Sequence, residues 1–331
     1  MVKQTSNLRI ARRNRGLTRV VGHLRTIGPA VTQKLIPQRC PPAKSWRKRI
    51  PNERGEAIIH SGLFADVPDS RKLVILLHGM GGTVDRGYCV EAAVAARRVN
   101  LPCLRLALRG ADGLGRDMHH AGFTDDLQSI LELREFDRFE KVALVGYSLG
   151  GHVSLSAAVE EIDERLMAVA ALCPPLDLRA CQEAIDAPRA WLYRQYLLRA
   201  LKQTYPAIAR GGQVMVPPTR IDEVSTLREW DALTVVPRFG FDDVDHYYAT
   251  QSVGPKLATM ETAALVVSSP ADPMIPADSL RGALGRASQS VAVRWVRDGG
   301  HVFFPPRVDL GFGERLGVEN QVMAWVADQL R

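Results

Sequence analysis

A serine, an aspartate and a histidine occur in this sequence in an order that could support nucleophilic catalysis. The serine is Ser148, which lies within Gly146-Tyr147-Ser148-Leu149-Gly150 and fits the pattern G-x-S-x-G. A short apolar run precedes this motif and a helix-compatible segment follows it, which predicts a strand that turns sharply into a helix. Glycines two residues before and after the serine permit such a turn and leave the hydroxyl exposed. The motif therefore predicts a nucleophilic serine.

A serine hydroxyl attacks well only when a base removes its proton and an acid orients that base. His301 is the predicted base and Asp272 the predicted acid, because each follows a predicted strand and the chain order is Ser, Asp, His. Asp272 as a turn or helix-capping residue and His301 as a loop residue are the structural alternatives. Asp177, beyond the sixth predicted strand, is the alternative acid. Asp278 could cap the next helix, and Asp298 lies close to His301 in sequence.

The reaction also requires hydrogen-bond donors for a developing oxyanion. The backbone N–H groups of Leu149, directly after the serine, and of Met80, after the glycine-rich turn of the third predicted strand, are the expected pair. His78 is expected to hold that turn and to take no chemical step. Three further histidines, His119, His120 and His152, have weaker claims to a role.

The sequence predicts neither a metal nor a cofactor. Its five cysteines are widely spaced and form no C-x-x-C or Cys/His ligand pattern, which favours reduced thiols. A phosphate-binding G-x-x-x-x-G-K-[ST] loop is absent, and no G-x-G-x-x-G motif opens a helix. Chemistry is therefore expected to depend on the protein's own side chains.

Strands that alternate with helices must position these residues. Apolar runs predict eight strands, around residue 50 and at 57–60, 72–77, 102–108, 141–147, 166–172, 263–268 and 291–296. Helical spacing predicts helices at 85–99, 125–136, 149–159, 276–284 and 318–330. The first two strands suggest an antiparallel hairpin, and the others a parallel sheet with helices on both faces. Ser148, Asp272 and His301 would then share the edge at which such sheets bind ligands.

The alternation stops between about residues 176 and 256, where the composition is helical and rich in aromatic residues. We predict that this stretch is a helical cap over the sheet. A basic helical stretch is expected at 17–35. The predicted organisation is a basic, poorly ordered tail at 1–16 followed by one domain at 17–331 that includes the cap.

Charge is distributed unevenly along the 331 residues. The net charge is +7, but residues 1–50 contain thirteen lysines or arginines and no acid, so the remaining chain is mildly acidic. No nucleic-acid motif accompanies the basic segment, so no nucleic-acid partner is predicted. No run approaches the length of a membrane span and no secretory signature follows the basic start, which favours the cytoplasm. Peripheral contact with a membrane through the basic N-terminus is an alternative that the sequence leaves open.

Several motifs together resemble the α/β-hydrolase superfamily, and within it the YheT-like branch of predicted esterases, whose relatives include monoacylglycerol and phospholipid hydrolases. The resemblance runs from about residue 20 to the end. It is carried by His78-Gly79-Met80-Gly81-Gly82, the Ser148 motif, Ala271-Asp272-Pro273, Gly299-Gly300-His301-Val302, His23-Leu24-Arg25-Thr26, His120-Ala121-Gly122, Asp125-Asp126-Leu127, Arg228-Glu229-Trp230-Asp231 and the segment from Phe241 to Tyr248. Two positions depart from the family pattern. Ala271 stands where a second acid is usual, and His246 replaces an acid in the D-D-Y-Y piece.

The resemblance implies an α/β-hydrolase fold and a metal-independent serine hydrolase that acts on carboxylic esters through an acyl-enzyme. The aromatic cap favours a small ester with a hydrophobic, short-to-medium or lipid-like acyl group, although core packing would explain those aromatics equally well. Thioester or amide hydrolysis and acyl transfer on the same residues are alternatives. A non-catalytic binding scaffold is the alternative from a different class.

Overall fold

The computed structural model describes residues 22–26, 40–212, 214 and 216–331. The predicted tail at 1–16 lies outside the described residues, as does most of the predicted helix at 17–35. Residues 22–26 form one helical turn. The division of the chain into a tail and one domain stays a prediction.

Eight strands form a single sheet in the order β1-β2-β4-β3-β5-β6-β7-β8 within the described residues. The first two form an antiparallel hairpin, β2 pairs antiparallel with β4, and the remaining pairs are parallel. The predicted eight-stranded, mostly parallel sheet is therefore confirmed. The strands are β1 (Lys44–Pro51), β2 (Ala57–Ala65), β3 (Lys72–Leu77), β4 (Cys103–Leu106), β5 (Lys141–Tyr147), β6 (Leu166–Leu172), β7 (Ala263–Ser268) and β8 (Val291–Trp295).

The sheet is covered on both faces because its central strands β3, β5, β6 and β7 are apolar at nearly every position. Alternate residues of β3 point to opposite sides, so Ile75 joins one core cluster and Val74 the other. Helices α1 (Gly87–Arg98) and α11 (Val318–Gln329) share the cluster that contains Val74. Helices α2 (Asp125–Leu131) and α3 (Leu149–Val159) share the cluster that contains Ile75. Helix α10 (Ala277–Leu284) lies between β7 and β8 in the chain.

A helical insertion separates β6 from β7, where the cap is predicted. Six α-helices occupy the described part of this stretch: α4 (Leu178–Asp186), α5 (Trp191–Ala209), α6 (Pro218–Asp222), α7 (Leu227–Leu233), α8 (Val235–Phe239) and α9 (Val244–Gln251). Their buried side chains, Tyr205 and Trp230 among them, belong to the cluster that also contains Ile75. The insertion therefore packs against one face of the sheet.

The predicted helix at 125–136 is shorter than expected. Helix α2 ends at Leu131, and a separate 3-10 turn covers Arg134–Phe136 after the extended residue Leu133. The Arg165 guanidinium donates hydrogen bonds to the carbonyl oxygens of Leu131 at 2.7 Å and Phe136 at 3.1 Å. A side chain from a distant loop thus satisfies the Leu131 carbonyl, which a helix extending to residue 136 would have bonded internally.

Candidate active site

Ser148 lies at the tight junction between β5 and α3. Its backbone has φ 52° and ψ −118°, a left-handed conformation that is strained for a residue with a side chain. The adjacent glycines are required sterically. A Cβ at Gly146 would lie 2.1 Å from the Gly150 carbonyl oxygen, and one at Gly150 would lie 2.4 Å from that of Leu77. Strand and helix therefore approach closely, and the serine hydroxyl lines a cavity.

His301 contacts the serine from the loop after β8. Its Nε2 lies 2.9 Å from Ser148 Oγ, and its side chain is largely buried. The backbone N–H of His301 donates to Thr26 Oγ1 at 2.8 Å, and that hydroxyl donates to the carbonyl oxygen of Gly22. The histidine is therefore held at both its ring and its backbone.

Asp272 contacts the other ring nitrogen of the histidine. Its Oδ2 lies 2.9 Å from His301 Nδ1, while Oδ1 accepts hydrogen bonds from the N–H groups of Met274 at 2.8 Å and Ile275 at 3.0 Å. The carboxylate is thus fixed in orientation by its own loop. The structure brings Ser148, His301 and Asp272 together in one hydrogen-bonded chain.

The alternative acids lie elsewhere. Asp177 is the N-cap of α4, where its carboxylate accepts a hydrogen bond from Ala180 N at 2.9 Å. Asp278 lies in the first turn of α10 and pairs with Arg281, but Pro276 holds the N-cap position. Asp298 is exposed. The geometry at His301 therefore favours Asp272.

The two predicted oxyanion donors border the same cavity as Ser148. Leu149 is the first residue of α3, so its N–H has no partner within the helix. Met80 follows Gly79, whose Cβ position would lie 3.0 Å from Ser148 Cβ. His78 holds this turn from beneath. Its Nδ1 lies 2.8 Å from the Gly79 carbonyl oxygen, and its Nε2 accepts from Leu108 N at 3.2 Å.

The three weaker candidates, His119, His120 and His152, are hydrogen-bonded to backbone groups. His119 Nδ1 lies 2.8 Å from the Arg109 carbonyl oxygen, and His152 Nδ1 lies 2.6 Å from that of Pro175. His120 is surrounded by aromatic rings, including Phe239 at 4.5 Å between centroids. Burial lowers the pKa of His152 to about 4 and that of His120 to about 3, so both rings are neutral near pH 7. We assign them structural roles.

Thr26 is a site residue whose role the sequence reasoning missed. The motif His23-Leu24-Arg25-Thr26 enters the sequence prediction only through the family resemblance, yet its threonine hydroxyl accepts a hydrogen bond from the His301 backbone. Ser269 was also missed, and its hydroxyl donates to the Gly299 carbonyl oxygen at 2.8 Å, which ties the Asp272 loop to the His301 loop. For Thr26 the sequence offers one signal, the HLRT motif itself, because its segment has no other predicted role.

Cys173, Asp272 and His301 place potential metal-ligand atoms within 4.8 Å of one another, the one such group of three or more among the described residues. Asp272 and His301 already bond each other. Burial raises the pKa of the Cys173 thiol well above its usual range, with the Asp272 charge adding to the effect. A metal needs the thiolate, which this environment disfavours. We therefore interpret Cys173 as a packing residue of the site.

A cavity of about 1390 Å³ connects these groups to the helical insertion. Met80, Ser148, Leu149 and His301 border it from the sheet, and Tyr193, Tyr196, Leu197, Trp230 and Tyr248 border it from the insertion. Most of this lining is aromatic or aliphatic. The cavity is large enough to enclose an extended apolar group beside the serine.

One carboxyl group borders the cavity from the insertion. Asp231 Oδ2 accepts a hydrogen bond from Tyr248 Oη at 2.6 Å. Burial raises the pKa of Asp231 to about 7, although the Tyr248 hydrogen bond opposes the shift. This side chain is therefore partly protonated near neutral pH.

No helix among the described residues combines the length and the apolar character needed to cross a bilayer.

The sequence is similar to a known protein family and to proteins within it. A sequence model of the alpha/beta hydrolase family matches residues 74–309. The protein named "Putative esterase YheT" from Escherichia coli (strain K12) is 27% identical over 239 residues, which cover 70% of each chain. Phospholipase ABHD3 from Homo sapiens is 24% identical over 244 residues, which span 71% of this chain and 59% of that protein.

A solved structure shares the fold. The esterase Pf2001 of Pyrococcus furiosus aligns with a TM-score of 0.52 at 14% identity, covering 78% of this chain and 85% of that chain. At this level of identity the likeness concerns the fold alone.

Proposed function

This chain belongs to the alpha/beta hydrolase family, and we propose that it is a serine hydrolase that cleaves carboxylic esters through an acyl-enzyme intermediate. The observation that carries the proposal is the hydrogen-bonded chain from Ser148 Oγ through His301 to Asp272, with 2.9 Å at each contact. A nucleophile, a base and an orienting acid within hydrogen-bond reach are the arrangement that acyl transfer requires.

In the first half of the reaction, Ser148 Oγ attacks the ester carbonyl carbon while His301 Nε2 takes the hydroxyl proton. Asp272 stays ionised, holds the proton on Nδ1 and stabilises the imidazolium. The N–H groups of Met80 and Leu149 donate to the oxyanion of the tetrahedral intermediate. The bond to the leaving alkoxide then breaks, and His301 supplies its proton.

In the second half, water attacks the acyl group on Ser148. His301 Nε2 takes a proton from the water, and the same two backbone donors stabilise the second oxyanion. Collapse of this intermediate releases the carboxylic acid as Ser148 recovers its proton from His301. Apart from the ester and the water, every group that acts in these steps belongs to the protein.

The substrate we propose is a small ester with a hydrophobic acyl group, including lipid-like esters. The cavity beside Ser148 supports this proposal, because its aromatic and aliphatic lining favours apolar contacts. The strongly basic N-terminal sequence supports peripheral contact with a membrane. The five cysteines are free thiols, which supports a cytoplasmic location.

A fluorophosphonate probe tests the nucleophile directly. We expect wild-type protein to be labelled on Ser148 and Ser148→Ala to be spared. Ser156→Ala is the matched control, because Ser156 lies two turns along the same helix and does not border the cavity. Absence of labelling in a folded wild-type protein would favour a binding scaffold over an enzyme.

A chain-length series of p-nitrophenyl esters tests the acyl preference. We expect kcat/KM to increase from acetate to medium-chain esters as the acyl group fills the cavity. Equal kcat/KM across the series would contradict a hydrophobic acyl site and leave the esterase proposal standing. Faster turnover of matched thioesters or amides, or transfer to an added alcohol in preference to water, would replace ester hydrolysis with that reaction.

A further inference from the structure

The exposed face of α5 carries large apolar side chains that the described structure leaves at least half exposed, with only the Arg86 guanidinium placed over the Tyr196 ring, 5.6 Å from its centroid. Trp191, Leu192 and Tyr196 are 53%, 60% and 50% exposed, which is unusual for side chains of this size. Helical geometry places them within one face that also includes Gln195 and Arg199. The opposite face of α5 buries Tyr193, Leu197 and Leu198 in the core. We call this exposed set the α5 face.

The α5 face lies where the cavity meets the surface. Leu192 and Tyr196 are at least half exposed and also line the cavity that contains Ser148. Side chains that satisfy both conditions must border its opening. Any surface that covers the α5 face would therefore lie against the route to the serine.

The charge of α5 is entirely positive. Its nineteen residues include Arg194, Arg199 and Lys202 but no aspartate or glutamate, and Arg189 precedes it. Neither Arg189 nor Arg199 joins any of the ion pairs found in the described part of the chain, and both are exposed. A partner with negative charge would complement this surface.

The first described residues of the chain also contact α5. His23 stacks on Tyr193 of α5, with ring centroids 5.6 Å apart, and its Nδ1 lies 2.6 Å from the Tyr193 hydroxyl. Leu24, the next residue, is 66% exposed. The sequence before residue 22 contains six lysines or arginines and no acid. The exposed Leu24 therefore follows a residue that contacts α5, and the basic segment directly precedes that residue in the sequence.

We propose that the α5 face is a docking surface for an anionic lipid membrane. Tryptophan and tyrosine favour the boundary between head groups and acyl chains, while arginine favours anionic head groups. Docking in this way turns the cavity opening toward the lipid, so a lipid-like ester reaches Ser148 without crossing water. The passage of substrate rests on the proposed function, but the docking itself does not.

Vesicle co-sedimentation tests the docking without reference to activity. The full chain carrying Ser148→Ala is mixed with vesicles of phosphatidylcholine and phosphatidylglycerol, or of phosphatidylcholine alone. We expect stronger binding to the anionic vesicles and weaker binding as salt is added, because exposed charges are screened. Failure to bind anionic vesicles at low salt would overturn the proposal.

Two substitutions locate the surface. Trp191→Ser should weaken vesicle binding about tenfold through loss of apolar contact. Arg189→Glu should weaken it by about fivefold for each unit of charge changed. Neither side chain lines the cavity, so hydrolysis of a soluble ester should be unchanged in the active protein. Met167→Ser and Arg71→Glu are the control substitutions, because they alter an exposed apolar residue at the start of β6 and an exposed arginine directly before β3, away from the cavity, and both should bind like wild type.

Other occupants of the α5 face give different results. If another segment of this chain covers it, Trp191→Ser lowers the melting temperature and leaves vesicle binding unchanged. If a second copy covers it, wild-type protein is a dimer in analytical ultracentrifugation and Trp191→Ser is a monomer. Either result overturns the proposal. Vesicle binding by a protein that hydrolyses no ester would instead contradict the proposed function and leave the docking surface in place.

Discussion

The hydroxyl oxygen of Thr26 lies 2.8 Å from the backbone nitrogen of His301, a residue 275 positions later in the chain. This contact ties the first described helical turn to the loop that carries the proposed base. Thr26 is buried, and its hydroxyl also donates to Gly22, so its orientation is fixed. We interpret Thr26 as a positioning residue, because it touches the base and not the reacting atoms.

Thr26→Val should lower kcat with little effect on KM. Valine keeps the shape of threonine but leaves the buried His301 N–H without an acceptor, a penalty of about 1–3 kcal/mol that loop movement would relieve. A displaced histidine should reduce kcat about 10- to 100-fold. Steady-state kinetics on a soluble ester measure the effect, and Thr26→Ser should retain activity. Equal activity in the valine and serine variants would contradict the positioning role.

Asp272→Asn should decrease kcat about 10,000-fold, because an amide holds the wrong tautomer of the histidine. Asp177→Asn is the matched control. Asparagine caps a helix about as well as aspartate, so this variant should keep both its stability and its activity. The comparison is made with the same ester at saturating concentration. Loss of turnover in the Asp177 variant alone would assign the acid to Asp177.

Gly150→Ala should destabilise the fold although alanine is the better helix former. The new Cβ would lie 2.4 Å and 2.6 Å from the carbonyl oxygens of Leu77 and His78, which are backbone atoms of the sheet edge. We expect the free energy of unfolding to decrease by at least about 2 kcal/mol. Gly282→Ala, in α10, meets nothing nearer than 3.9 Å and should stabilise by about 0.5–1 kcal/mol. Urea unfolding distinguishes the two.

Asp117→Asn should cost about 3–5 kcal/mol of stability. Asp117 is fully buried and accepts hydrogen bonds from Arg109 at 2.9 Å and from Arg238 Nε at 2.7 Å, which joins helix α8 to the sheet side of the molecule. Its neutralisation leaves two buried guanidinium groups with less negative charge to balance them. Glu223→Gln removes an exposed pair with Arg220 and should change stability by less than about 1 kcal/mol. Similar losses in both variants would contradict this account.

Asp231→Asn should make stability less dependent on pH. The folded pKa of Asp231 is raised to about 7 from the usual 3.8, so the folded state holds a proton that the unfolded state has released. Wild-type stability should therefore decrease as pH rises from about 4 through 7, by up to about 4 kcal/mol, and Asp231→Asn should lack this loss. Melting temperatures at pH 5 and pH 8 measure it.

Asp278→Asn is the control for that experiment, because its side chain is 93% accessible and bears no cost of burial. If Asp231→Asn and wild type show the same change between the two pH values, the carboxyl group of Asp231 is not the source of the pH dependence.

The arrangement of the sheet could be predicted because it follows from local patterns. Continuous apolar runs such as Lys72–Leu77 mark strands buried on both faces, and the structure ends β3, β5, β6 and β7 where the sequence predicts. The turn at Ser148 could also be predicted, since its glycines lie within two residues of the serine. In each case the residues that decide the structure are neighbours in sequence.

Contacts between distant segments could not be predicted in this way. Nothing near Thr26 indicates that its hydroxyl binds His301, and nothing near Leu131 indicates that Arg165 will end its helix. The ion pairs of Asp117 with Arg109 and Arg238 likewise depend on how the insertion packs against the sheet. Such contacts need the three-dimensional arrangement, because side chain and partner share no local signature.

Part of the basic N-terminal sequence forms strand β1, where its positive charge affects association between molecules. Among the described residues it pairs with β2 on one side only, which leaves its other side as an edge of the sheet, and four of its eight residues are lysine or arginine. Lys44, Arg47 and Arg49 are exposed along it. Two such edges would repel each other before their backbones could join, which is how proteins prevent sheets from growing between molecules. Acetylation of the two lysines of β1, Lys44 and Lys48, would weaken that protection and favour aggregation.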